Sequence, residues 1–333
     1  MPGGRPFTRR EALAAGWTDD AMRHAVRTGR WARLRSGVFV LVDAHTIDAH
    51  ACGGVPCDLH STHRQQVLTA AQASALRCPR VAISHASAAI AHGFPTVGTE
   101  CRACVTVPAG AALRELAGVH LHRATLTPGE VVEVDGFRVT SVARTVIDVA
   151  RELGVESGVV AADAALHQGL LNADDLGRAA AACAQWPGRS AAVSAIACGD
   201  AAAESPLESL SRLRMAEHAM PPPRPQTNLG DGYGRFIARV DFYWPEFGVA
   251  GQADGALKYQ AGAAVLAEKG QQELLERLGV IVVRWQWRDL YRFDTVAARL
   301  TAAFDRGLRR GAGQRWSVLP DDLAPRFGAN AAR

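Results

Sequence analysis

The most constraining stretch of this sequence is FIARVDFYWPEFGVAGQAD, residues 236–254. Aromatic and β-branched residues crowd both sides of Pro245, a combination that favours strands and excludes a continuous helix. It reads as two strands, Phe236–Tyr243 and Phe247–Ala253, joined by a tight Pro-Glu turn. Side chains alternate faces along a strand, so Gln252 and Asp254 point the same way. Hairpin pairing brings Asp241 close to them. Oxygen donors at adjacent strand ends, with Lys258 nearby, form the donor set of a hard-cation site with a charge stabiliser beside it.

The rest of the chain supports an intracellular, anion-binding reading. With 333 residues it is long enough for two or three domains, each with a core. Its apolar runs are Ala-rich and fall short of the roughly 18 residues of a membrane span. Arg9 and Arg10 are followed by Glu11 and a helical pattern rather than by the apolar core of a signal peptide. Seven cysteines, an odd number, point to reduced thiols and a cytoplasmic location. Lys258 and Lys269 are the two lysines among 37 basic residues, and both lie beside the acidic cluster. Lysine kept where arginine is otherwise used suits a compact ammonium at a phosphate site.

Residues 8–15 form a short helix pattern broken by Gly16. Thr18 then caps a second helix, with Asp19 and Asp20 in its first turn and Met22, Ala25 and Val26 on its apolar face. Two strands, Trp31–Leu34 and Val38–Val42, follow as a wing. Residues 1–42 hold eight arginines against three acids. Arg23, Arg27, Arg30, Arg33 and Arg35 lie on the second helix and the wing, where phosphate contacts to DNA are made. The residues Gly16, Gly29, Trp31, Arg33, Leu34, Gly37, Val38 and Phe39 resemble the N-terminal winged-helix domain of AbiEi-type antitoxins of type IV toxin–antitoxin systems. That resemblance implies DNA binding, autoregulation and a cognate toxin as partner.

The segment CGGVPCDLHSTH spaces Cys52, Cys57, His60 and His63 as C-x4-C-x2-H-x2-H. Zinc sites more often pair C-x2-C with H-x3–5-H, so a polar insertion is the plainer reading. Cys101 and Cys104 make a C-x2-C on one strand, and His120 and His122 alternate on the next. This pattern reads as packing ahead of a metal site. From His63 to Arg151 helices alternate with strands in one α/β unit, and Ser84 caps the helix HASAAIAHG. His85, His92 and Arg144 read as structural, with Arg144 pairing Asp148 at i+4. The phrases SHASAAIAHG and TSVARTVIDVA are similar to the middle region of the same antitoxin-like chains. Two Ala-rich helices, Val155–Gln168 and Ala173–Ala184, bridge to the last domain.

That domain begins with the helix ESPLESLSRLRM, continues through the hairpin and a helix ending at Gly279, and closes with the strand VIVVRWQW. Glu208 and Arg212; Arg239, Val240 and Asp241; Trp244, Pro245 and Glu246; Asp254, Gly255, Lys258 and Tyr259; Glu268 and Lys269; and Arg284, Trp287 and Asp289 together resemble the PD-(D/E)XK nuclease fold. The closest likeness is to domains related to very-short-patch-repair endonucleases. Gln252 stands where that family has Glu, and Gln271 where it has Arg.

The resemblance implies a multi-domain α/β protein. Its parts are a winged helix-turn-helix at 1–43, a Cys/His-rich loop at 44–62 and a middle α/β and helical region at 63–200. A nuclease-like mixed sheet with helices at 201–312 and a loosely ordered tail at 313–333 complete it. Asp241, Gln252 and Asp254 would hold Mg²⁺ or Mn²⁺, with Glu208 assisting and Lys258 stabilising developing charge. Two functions follow from it. One is a metal-dependent DNA endonuclease. The other is a non-catalytic, antitoxin-like regulator with a degenerate nuclease fold, and the amide at Gln252 divides the two.

Overall fold

A computed structural model describes residues 5–41, 61–76, 80–97, 102–111, 119–255, 262–310 and 315–320; side chains of 61–66 and 262–269 are outside this description. Lys258, Cys52, Cys57, His60 and Cys101 lie outside the described residues, as does the side chain of His63. The protein is a multi-domain α/β chain with eleven α-helices and three sheets among the described residues. It divides into two units, Met1–Ala201 and Ala202–Arg333.

In the first unit, β1 (Phe7–Thr8), α1 (Arg9–Ala14), α2 (Asp19–Arg27), β2 (Trp31–Arg35) and β3 (Val38–Leu41) form a small module. Its antiparallel sheet runs β1-β3-β2. Thr8 and Glu11 close a capping box on α1, and the Thr18 side chain accepts from the Ala21 N–H on α2. Gly16 takes φ 86°, a conformation open to glycine at no steric cost, and so turns the chain between the helices. Phe7, Met22, Trp31 and Phe39 pack into one core, with Phe7 edge-on to Trp31 at 4.8 Å.

A second sheet of this unit orders its strands β6-β5-β4-β8-β7. These are β4 (Ala82–Ile83), β5 (Ala103–Val107), β6 (Val119–Arg123), β7 (Val131–Val134) and β8 (Phe137–Thr140). Helices α3 (Ser61–Ala75) and α4 (His85–Ala91) flank it. Ser84 occupies the cap position of α4 without making the expected capping bond. Its hydroxyl instead accepts from the Thr106 hydroxyl at 2.8 Å and meets His85 Nδ1 at 3.0 Å. Helices α5 (Val142–Leu153), α6 (Val155–His167), α7 (Ala173–Ala182) and α8 (Arg189–Ala197) complete the unit. Small residues bring α5, α6 and α8 together: a Cβ on Gly158 of α6 would meet the Cβ of Ala195 at 2.7 Å.

In the second unit, α9 (Pro206–Glu217) precedes β9 (Arg224–Asp231), β10 (Phe236–Trp244) and β11 (Val249–Asp254). Then come α10 (Gly262–Leu278), β12 (Ile281–Gln286), α11 (Phe293–Arg309) and β13 (Trp316–Leu319). The sheet runs β12-β11-β10-β9-β13, parallel between β11 and β12 and antiparallel elsewhere. The hairpin forms, but its turn spans Pro245–Gly248 rather than Pro-Glu alone. Phe247 belongs to the turn and lays its ring on Phe304 of α11 at 4.5 Å, while Gly248 turns at φ 59°. The expected tail also differs. Trp316–Leu319 is a sheet strand, because Trp316 covers Gly248 and donates from Nε1 to the Tyr243 hydroxyl at 2.6 Å.

Candidate functional site

Asp241 lies inside β10, sixth of its nine residues, rather than at the strand end expected; Asp254 is the last residue of β11 and Glu208 lies in the first turn of α9. The Asp241 Oδ2 accepts from the Ala253 N–H at 2.7 Å, so the carboxylate reaches across to β11. Gln252 is half-buried on β11 and pairs in register with Arg284 on β12. Arg284 in turn donates from Nε and Nη2 to both oxygens of Asp254, at 2.8 and 3.0 Å. A third guanidinium nitrogen donates to Gln272 Oε1 at 2.8 Å. This fork matches a carboxylate in two places at once, which a lysine could not do. Glu208 is 7% exposed, and its carboxylate accepts from the Glu204 N–H, the Ser205 hydroxyl and the Gln226 amide, at 2.9, 2.6 and 2.7 Å. Glu208 therefore closes the first turn of α9. In the sequence Arg284 counts only as a match to the nuclease-like pattern and has no assigned partner, since its pairing depends on the register of a parallel strand some thirty residues on.

The N-terminal arginines stand on α2 and the hairpin. Arg23, Arg27, Arg30 and Arg33 are exposed and Arg35 is half-buried. Arg23 pairs with Asp20 one turn earlier, and Arg27 meets His24 Nδ1 at 3.1 Å. Arg9 pairs with Asp19 across the turn between the helices. Such exposed pairs are weak and exchange readily for phosphate.

A third group lies in the middle region. Among the described residues, the one set of His, Cys, Asp and Glu donors close enough to hold an ion is Cys104, His120, His122 and Glu152, with ligand atoms all within 4.8 Å of one another. His120 Nδ1 lies 2.8 Å from Glu152 Oε1, and His122 Nε2 lies 3.5 Å from the same oxygen. The His85 ring stacks on His122 at 3.4 Å, with 13° between planes. Burial, reinforced by Arg144, pushes His85 down to about 3; burial and the His85 neighbour do the same for His122. Both rings are neutral at pH 7. They border a cavity of about 360 Å³ shared with Arg144, Arg151 and Trp186. Arg144 binds Asp148 and Glu130 at 2.7 and 2.8 Å, the first being the expected i+4 pair. His92 donates from Nε2 to the Thr140 carbonyl at 2.7 Å, which fits its structural reading.

No described helix is long and apolar enough to cross a membrane. No family model matches the sequence. Two uncharacterized proteins of Mycobacterium tuberculosis, from strains CDC 1551 / Oshkosh and ATCC 25618 / H37Rv, are similar to it. Each is 30% identical over 227 residues, covering 68% of this chain and 82% of the relative.

Proposed function

The chain belongs to the family of these two mycobacterial proteins, and we propose that it is a DNA-binding protein in which α2 and the β2–β3 wing make the contacts. The observation that carries this reading is the arginine face: Arg23, Arg27, Arg30 and Arg33 all stand in solvent on one short helix, the turn after it and the wing. Phosphates would displace Asp20 and His24 from Arg23 and Arg27, releasing counterions as they bind. A regulator of the antitoxin type, with a cognate toxin as partner, is the biological role that suits such a module.

Fluorescence anisotropy with labelled duplex DNA tests it. Binding should weaken linearly in log–log form as salt rises. Arg27→Ala and Arg33→Ala should each weaken binding across sequences and lower the salt slope by about 1. Absence of binding at low salt sinks the reading.

A second reading is phosphodiester hydrolysis by the second unit with Mg²⁺ or Mn²⁺. It is favoured by Asp241 within β10 and Asp254 at the end of the neighbouring β11, with Glu208 on the helix before them. As arranged, these donors do not fit a metal. Asp254 is taken by Arg284, Glu208 by its cap, and Gln252 adds no charge. Plasmid nicking with either metal, lost in Asp241→Ala, would restore the enzyme reading. Its absence in the intact protein together with its gain in Gln252→Glu would mark a decayed nuclease.

A further inference from the structure

Strand β6 pairs in parallel with β5, so residues in register share a face. Cys104 sits opposite His120, and His122 lies two residues further along that face. Glu152, from the last turn of α5, closes the group from outside the sheet. These residues come from three elements, and the register of two of them fixes three of the four donors.

The group carries an unresolved polar imbalance. His122 Nε2 and Glu152 Oε2 are both buried and make no hydrogen bond. Two buried ligating atoms without a hydrogen bond are costly, even with His122 Nε2 3.5 Å from Glu152 Oε1, and such a pair calls for a ligand. The Cys104 residue is 3% exposed, and its thiol donates to the Arg102 carbonyl at 3.3 Å.

We propose that Cys104, His120, His122 and Glu152 bind one Zn²⁺, through Sγ, Nδ1, Nε2 and a carboxylate oxygen respectively. Thiolate and imidazole donors select a borderline-soft ion such as zinc over magnesium or calcium. Four protein ligands make a closed, structural site rather than a catalytic one. A tetrahedral zinc with bonds of roughly 2.0–2.3 Å keeps its donors roughly 3.3–3.8 Å apart. The observed spread of up to 4.8 Å therefore closes by small side-chain rotations, with His120 free to move at the surface. Binding releases the thiol proton of Cys104 to solvent and gives the buried His122 Nε2 a partner. The His85 ring, stacked on His122, and the Ser84–Thr106 hydroxyl pair behind it orient the His122 ligand from the second layer. This site is separate from the arginine face and independent of DNA binding.

Metal analysis of the untagged full chain tests the assignment, using Cys52→Ser/Cys57→Ser as reference to remove any ion held by residues 52–63. The reference should retain one equivalent of zinc after dialysis. Loaded with Co²⁺ instead, it should show a thiolate-to-metal charge-transfer band and the strong visible bands of a four-coordinate ion. Adding Cys104→Ser should abolish the charge-transfer band. Adding the exposed substitution His120→Ala should weaken zinc by more than the roughly 10–100-fold seen when an outer-layer partner is lost. A reference protein without zinc overturns the site, as does a charge-transfer band that survives Cys104→Ser. Unchanged affinity in a folded His120→Ala variant leaves an ordinary His–Glu ion pair in its place.

Discussion

Arg284 decides the state of the acidic end of the second unit, because one guanidinium holds both Asp254 oxygens and Gln272 at once. Arg284→Met should destabilise the protein by about 1–3 kcal/mol, since Asp254 is then a half-buried carboxylate without its charged partner. Urea denaturation measures this, and a change under about 0.5 kcal/mol, the scale of an ordinary surface substitution, contradicts it. His92 gives a pH signature of opposite origin. Burial lowers its pKa below the usual 6.5, and the Thr140 carbonyl recovers only part of the loss. As pH falls past 6.5 the unfolded chain takes up this proton first, so the unfolded state binds more protons and stability drops. His92→Gln should make the loss between neutral pH and the folded-state pKa shallower, and an unaltered slope would assign the acid sensitivity elsewhere. The neighbourhood of Asp241 and Asp254 was legible from strand alternation and the turn. The claim of Arg284 on Asp254 was not, because it depends on β12 arriving parallel in one register.

Between elements, close approach rather than side-chain bulk sets several packings. A Cβ added to Gly307 of α11 would collide with the backbone carbonyl of Phe247 in the hairpin turn. Gly→Ala inside a helix ordinarily gains about 0.5–1 kcal/mol. Here the obstacle is main chain and cannot swing aside, so the roughly 1–3 kcal/mol cost of overpacking wins. Gly307→Ala should lower the melting temperature; a rise would show that the turn yields. Helices were the most readable elements because their caps are written locally, as at Thr18. Ser84 misled for the same reason: its position is a cap, but Thr106, 22 residues on, claims the hydroxyl. The donor group at Cys104 was half visible. The alternating histidines and the nearby cysteine could be seen, whereas Glu152 reaches them only once α5 is docked.

Across the whole molecule, composition foresaw several domains and the structure divides the chain after Ala201. Each unit has its own apolar clusters, Ile83, Val105 and Val139 in one and Leu229, Val240 and Leu275 in the other. The alternation of helices and strands made the α/β class readable, since two periods, 3.6 and 2, recur along the chain. What escaped was the role of residues beyond 313, where Gly, Pro and Arg dilute the short apolar run of β13. That strand pairs β9 from Trp316↔Asp231 to Leu319↔Asn228. A chain shortened at Arg310 would look like a harmless trim. It would instead bare a row of unpaired N–H and C=O groups along β9 and uncover the glycine beneath Trp316. Such a product would be lost to strand-on-strand association between molecules, and its poor recovery would say nothing about DNA or metal.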